Sequence, residues 1–355
     1  MEKKKKKFRL WHKVLLGIVL VVLIGGSAFR IHMRITPEVH ESYNLQVMGE
    51  EGRKIPANYS TVYMTTDISS DGLLSAYDAL GVTPTGNVAV KLSTGEAGGN
   101  NYLSPKLIKK LVQKVDGTIV ECNTAYGGSR SSTAMHMQVA KDHGFTDIAD
   151  VDIMDADGYK VIPVENGTHI TENWVGKNLE NYDFVMVLSH FKGHAMGGFG
   201  GALKNISIGI ASREGKARIH TGGESTNFLL SLITNQNVFL ESMAEAAKSV
   251  SDYENKGEKM IYISVMNRLS VDCDCDSSPA EPDMHDIGIL ASTDPVALDQ
   301  ACVDLVYEAK DGKSLEKRME RQNGIHILTY AEKIGLGNRA YKLIDINETK
   351  GDDDE

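Results

Sequence analysis

Cysteine is scarce in this chain. Four residues, Cys122, Cys273, Cys275 and Cys302, are spread over 355 positions and make no disulfide framework. The glycine-rich stretch at 197–205 lacks both the Gly-x4-Gly-Lys-Ser/Thr loop and the Gly-x-Gly-x-x-Gly turn. A P-loop and a dinucleotide fingerprint are therefore excluded there. There is no internal repeat, and low complexity is confined to the termini. Positive charge is also short where nucleic acid would need it. Residues 1–30 hold eight Lys/Arg and one Glu, leaving 30 of the 38 basic residues and 47 of the 48 acidic ones for the rest. A body carrying −17 argues against nucleic acid as partner.

What is present begins with a lysine run, residues 3–7, followed by an uncharged apolar run at 14–29. Basic before apolar predicts a cytoplasmic segment 1–13, an uncleaved transmembrane signal anchor at 14–30 and an extracytoplasmic body. No cysteine follows the run, which excludes a lipoprotein anchor. Residues 31–60 read as a linker or a peripheral strand pair, 61–346 as the folded α/β domain, and 347–355 as a solvated acidic tail.

Within the body, short apolar strands at 87–92, 118–122 and 183–188 each open into a polar loop and then a helix or glycine turn. Further strands are expected at 151–155, 160–164, 260–266 and 287–291. Helices are expected at 69–80, 105–115, 131–143, 225–250 and 295–309, with Pro295 in a first turn. Strand, loop, helix in repetition predicts a parallel or mixed sheet with flanking helices, arranged as two lobes around a cleft. Ligands of such sheets sit at the carboxyl ends of the strands.

The loops at those ends carry the chemistry. Ser189-His190-Phe191-Lys192-Gly193-His194 leads into Gly198, Gly200, Gly201, Lys204 and Asn205, and His220 follows. His190 and His194 are candidate proton-transfer groups. Lys204, Asn205 and the glycines are candidates to cradle an anionic cofactor or substrate, with Lys204 as its cation. Lys216 reads as solvent-facing. Arg130 reads as a clamp for carboxylate or phosphate, or as a loop arginine paired to a local acid. His136 reads as structural, Glu96 as turn chemistry, and Asp294 and Asp299 as helix caps and decoration. Cys273-Asp274-Cys275 sets two thiols on one side of an extended segment. That pattern suits a soft metal, with His220 as a further ligand, or else a disulfide between the two.

Five segments together resemble the DUF362 family: Glu121 through Arg130, Ser189 through His194, Gly198 through Asn205, Cys273-Asp274-Cys275, and Asp286 through Ala297. Many members are described as iron–sulfur proteins with an inserted Cys-x-x-Cys-x-x-Cys ferredoxin module, and this chain has none. More distantly, His194, Lys204 ten residues later and His220 sixteen beyond that resemble the nickel-pincer lactate racemases. That resemblance implies an acid/base role for His194, a cofactor anchor or cation at Lys204 and a nickel ligand at His220. The family's other acid/base histidine has no counterpart in the loop Asn123-Thr124-Ala125-Tyr126. The expectation is an enzyme that uses a metal ion or a metal-containing cofactor, of iron–sulfur or nickel type, for redox or proton-transfer chemistry on a small anion. The alternatives are a non-catalytic metal- or ligand-binding surface protein and a structural domain that has lost its site.

Overall fold

Continuous apolar runs flanked by helical segments make strands buried on both faces, and such strands pair in parallel. The computed structural model, which describes residues 36–347, has twelve strands and ten helices among those residues. In chain order they are α1 (Leu45–Glu50), β1 (Ser60–Thr65), α2 (Ser70–Ala79), β2 (Val88–Lys91), α3 (Pro105–Lys114), β3 (Gly117–Glu121), α4 (Thr133–Asp142) and β4 (Val151–Ile153). Then come β5 (Tyr159–Pro163), β6 (Glu172–Gly176), β7 (Phe184–His190), β8 (Lys192–His194), β9 (Gly198–Gly200), α5 (Ala202–Ser207), α6 (Arg213–His220) and α7 (Gln236–Tyr253). The last are β10 (Met260–Met266), β11 (Gly288–Ser292), α8 (Pro295–Glu308), α9 (Lys313–Arg321), α10 (His326–Lys333) and β12 (Tyr341–Asp345).

Eight strands form one mixed sheet in the order β12-β1-β11-β10-β7-β2-β3-β4. Only β11 runs against its neighbours. The chain moves outward from β2 through β3 to β4, then returns to the middle at β7 and moves the other way to β10. The strand order therefore reverses between β2 and β7, and a crevice opens there at the carboxyl ends. Alternate side chains of these strands enter two cores. Val88, Val90, Met186 and Leu188 pack under α2, α3 and α4, and Ala89, Val185 and Val187 pack under α5, α7 and α8. This single sheet takes the place of the two lobes that were expected.

The region read as a linker is tied down. Its residues 36–59 carry α1, and Asp304 of α8, 1% exposed, holds the approach to it. Its carboxylate accepts from Ser42 Oγ (2.9 Å), the Tyr43 amide (3.0 Å) and Tyr341 OH (2.9 Å), and it pairs with His40 Nε2 at 2.8 Å. The hairpin β5–β6, the hairpin β8–β9 and the strands β1 and β12 were not all foreseen. They are short, polar or glycine-rich, so hydrophobic periodicity is faint in them. The expected anchor at 14–30 and most of the acidic tail lie outside the described residues. Among the described residues no helix is long and apolar enough to cross a membrane.

Replacing Asp304 by Ala leaves several buried donors unsatisfied. The expected cost is about 3 kcal/mol in denaturant unfolding. Limited proteolysis should then cut within 36–59 while the sheet stays protected. An unchanged cleavage pattern would show that the segment is held by other contacts.

Candidate functional site

The crevice at the β2/β7 reversal is a pocket of about 240 Å³. The elements around it are stitched together by Asn205 of α5. Its Nδ2 donates to Lys91 O (3.2 Å), Leu188 O (3.3 Å) and Ser189 Oγ (3.1 Å), bridging the ends of β2 and β7. Its Oδ1 accepts from Lys91 Nζ at 3.1 Å. The α5 N-terminus is fixed by Asp299, whose carboxylate accepts from the amides of Ala202 (2.7 Å) and Leu203 (2.9 Å). Gly201 has to be glycine, because a Cβ there would lie 2.2 Å from Asp299 Oδ1.

Four cationic side chains face this space: Lys91, Arg130, Lys204 and Lys216. Among the described residues two acids line it, and both are committed elsewhere. Glu121 pairs with Arg130 at 3.3 Å and accepts from Thr94 Oγ1 at 2.6 Å. Asp274 pairs with Lys192 at 2.6 Å and with His190 at 3.0 Å. Lys91 donates to Leu92 O, and Lys216 to Ala211 O and Cys122 O. Lys204 alone of the four has no hydrogen bond or ion pair among the described residues. Burial, followed by the neighbouring Lys91 and Arg130, brings its pKa down to about 8. Its stem crosses Gly200, where a Cβ would sit 3.2 Å from Lys204 Cδ.

Two histidines present opposite ring chemistry to the pocket. His194 Nδ1 accepts the amide of Gly197 at 2.8 Å. A backbone N–H can only donate, so the neutral ring carries its proton on Nε2. His220 Nδ1 lies 2.7 Å from Lys216 O. A carbonyl can only accept, so the proton is on Nδ1 and the Nε2 lone pair is free. Burial, aided by Lys204, holds both rings neutral: His194 falls well below the usual range and His220 to about 4. His220 is further fixed by stacking on Phe239, centroids 4.7 Å apart, and by the edge of Phe228 at 4.9 Å.

The sites expected from the sequence sort as follows. His194, Lys204, Asn205, Gly200, Gly201, Arg130, His220, Cys273, Cys275 and His190 all line the pocket. Gly198 does not: its φ is +84°, a Cβ there would meet Gly324 Cα at 2.9 Å, and its role is close backbone packing. His190 is not free to move a proton, since Nδ1 faces Asp274 and Nε2 lies 2.8 Å from Asn267 O. It is a positioning residue. Arg130 is held by Glu96 and Glu121 and is not an open anion clamp. Lys216, expected at the surface, is 7% exposed and inside. Lys91 and Glu121 were overlooked, and Asp274 was noted as part of the cysteine loop but not as the partner of Lys192 and His190. A lone charge in the apolar run Asn87-Val88-Ala89-Val90-Lys91-Leu92 was the available signal for Lys91.

Cys273 and Cys275 are bonded to each other. Their sulfurs and a ring nitrogen of His194, not His220, lie within 4.8 Å of one another. An iron–sulfur cluster does not fit this donor set. Joined sulfurs are not thiolates, Cys122 is buried with its thiol pushed up to about 12, and Cys302 is buried in α8. A metal ion fits better at His220, whose N–H is anchored on a backbone carbonyl while Nε2 has no partner among the described residues, the arrangement metal-binding histidines take.

Fold and site together define an α/β protein with a cationic, histidine-lined pocket at the switch point of a mixed sheet. The chain belongs to the DUF362 family, a domain of unknown function, whose profile matches residues 88–304. A comparison with curated proteins finds no match. Among solved structures the chain is similar to the lactate racemase apoprotein from Thermoanaerobacterium thermosaccharolyticum. Identity is 15% and the TM-score 0.43, over 72% of this chain and 59% of that one. It is also similar to a protein from Thermotoga maritima, with 14% identity and a TM-score of 0.41, over 68% of this chain and 58% of that one. In both cases the chain spans less than two thirds of the other protein's length.

In the metal-free protein the neutral histidines make stability depend on pH. His220 binds a proton more readily unfolded, near 6.5, than folded, near 4, so stability falls as pH drops through that window. The full loss from this one group is about 3 kcal/mol. Glu121 and Asp274 act separately: His190 and Lys192 hold Asp274 below its ordinary range against burial, and Arg130 and His136 do so for Glu121. Their contribution is present above the unfolded carboxylate range and lost beneath it. Chemical denaturation between pH 7 and 4.5 should show a shallower slope for His220→Gln than for the unmodified chain. Identical slopes would show that His220 is not buried neutral.

Proposed function

We propose that this protein is an enzyme that binds a small carboxylate- or phosphate-bearing anion and moves a proton on it. Residues 14–30 anchor it to the membrane, with its body outside the cytoplasm. One observation carries the reading: a hydrogen-bond acceptor, His220 Nε2, and a donor, His194 Nε2–H, line one pocket with the unpaired Lys204 ammonium. The ammonium pairs with the anionic group of the substrate. His220 takes the proton, and the charge it gains is offset by the substrate's own. His194 is already neutral with its proton on Nε2, so it donates a hydrogen bond to the oxygen on which negative charge develops. Phe228, half-buried in the pocket wall with its ring in edge contact with His220, shields that imidazole from water.

Where a metal or metal-containing cofactor takes the pocket instead, His220 Nε2 would hold it rather than take a proton, Lys204 would hold its anionic part, and the group would supply Lewis acidity or accept hydride. A non-catalytic receptor is the second reading. It is favoured by the clustering of His194 with the two sulfurs, a set that could hold a soft metal once reduced.

Calorimetry of the full chain with inorganic phosphate, lactate and pyruvate should find saturable binding to at least one anion. Lys204→Met should weaken it by about tenfold or more. Affinity should hold below pH 8 and decline above it, as the Lys204 ammonium is lost. Binding of none of the three would contradict an anion site. Solvent deuterium should appear at C2 of bound lactate, or at the methyl of bound pyruvate, and should not appear with His220→Gln. Binding without exchange would favour the receptor reading.

A further inference from the structure

We propose that Cys273 and Cys275 form a redox-active disulfide that exchanges with an external dithiol. The bond joins residues only two apart in sequence. A loop that short removes little entropy from the unfolded chain, so the bond contributes little to stability. The loop does not need it either, because it is already held by its middle residue. The Asp274 carboxylate accepts from Lys192 Nζ at 2.6 Å and faces His190 Nδ1 at 3.0 Å. Asp274 O accepts the Glu96 amide at 2.8 Å, and Cys273 O accepts the Asp276 amide at 3.0 Å. Tyr126 OH donates to Cys275 O at 3.2 Å. Behind the loop, Gly193 leaves no room for a Cβ, which would lie 2.2 Å from Val271 O.

The position of the bond favours exchange. Both cysteines are half-buried, and they line two spaces at once: the inner pocket and an open outer groove of about 410 Å³. Tyr126, His194 and Ala195 complete the wall between these spaces. A thiol can therefore reach the sulfurs from outside without entering the anion pocket. The two sulfurs are not equivalent. The Cys275 amide donates to Cys273 Sγ at 3.3 Å and would stabilise a thiolate there. Cys273 is then the leaving sulfur and Cys275 the one attacked.

The steps balance with a dithiol as reductant. One of its thiolates attacks Cys275 Sγ, the Cys273–Cys275 bond breaks, and the electron pair stays on Cys273 as a thiolate. The dithiol's second sulfur attacks its own partner in the mixed disulfide and releases the Cys275 thiolate. The dithiol leaves as a disulfide, having given up two electrons, and its two protons end on Cys273 and Cys275. Because Asp274 stays clamped, the new thiols remain side by side and can close again. Lys192 and His190 act in this exchange as positioning residues. Cys122 and Cys302 are 2% and 0% exposed and take no part.

The test uses the full chain purified in air. Iodoacetamide should find Cys273 and Cys275 blocked. After dithiothreitol under native conditions it should label both, leave Cys122 and Cys302 unlabelled, and lose both sites again when oxidised glutathione is added. In oxidised glutathione, Cys275→Ser should form a mixed disulfide at Cys273 several-fold faster than Cys273→Ser forms one at Cys275, because the residue-275 amide stabilises the Cys273 thiolate that attacks. Asp274→Asn, which keeps the side-chain shape, should slow reclosure by about tenfold with both thiols still labelled. The proposal is overturned if both thiols are free in the air-purified protein, or if dithiothreitol opens the bond only at denaturant concentrations that unfold the chain. The readout is thiol labelling, so it stands apart from anion binding.

Discussion

The carboxylate of Asp274 is the constraint on which the closed pocket depends. It is buried, and a buried charge persists only when paired and hydrogen-bonded. His190, at the end of β7, and Lys192, at the start of β8, supply the pairing across more than eighty residues of sequence. That ion triad pulls the loop after β10 over the strand ends and turns an open sheet edge into a chamber. Burial also draws the Lys192 ammonium below its usual range, offset in part by Asp274. Removing one member would leave the others charged without a partner, and breaking such a group typically costs several kcal/mol.

Inside the chamber the balance is reversed. The acids are neutralised by their own partners, so the field at the centre comes from Lys91, Lys204 and Lys216 and stays positive. Lys91 and Lys216 are held by backbone carbonyls, which leaves Lys204 to meet a ligand. Two main-chain groups, the Gly197 amide and the Lys216 carbonyl, then decide which imidazole donates and which accepts. The pocket's chemistry is thus set by backbone geometry: a three-residue turn before β9 and one turn of α6.

Much of this was legible in the sequence where the signal is local. The buried strands β2, β3, β7 and β10 read as apolar runs, and Pro295 marked the start of α8, where Asp294 caps it through the Val296 and Ala297 amides. His194, Lys204 and His220 converge because they ride on one segment folded back on itself through glycines. What was hidden is long-range. Nothing periodic joins His190 or Lys192 to Asp274, and only the fold shows that these two residues hold a loop while His194 faces the pocket. Lys216 was misread because its helix looks polar, yet that face turns inward toward Cys122 O and Ala211 O. The cysteine loop was expected beside His220 and lies beside His194, because the Asp274 clamp fixes where it lands. Family membership rests on the match over 88–304 and leaves the chemistry to be read from the pocket.

The central claim is that His194 and His220 face the same pocket as opposite neutral tautomers. Nitrogen-15 NMR of the imidazole rings at pH 7 tests it most directly, with His194→Gln and His220→Gln to assign the signals. The account predicts a protonated Nε2 with bare Nδ1 for His194, and a protonated Nδ1 with bare Nε2 for His220. Two rings in the same tautomer, or either one as imidazolium at that pH, would contradict it.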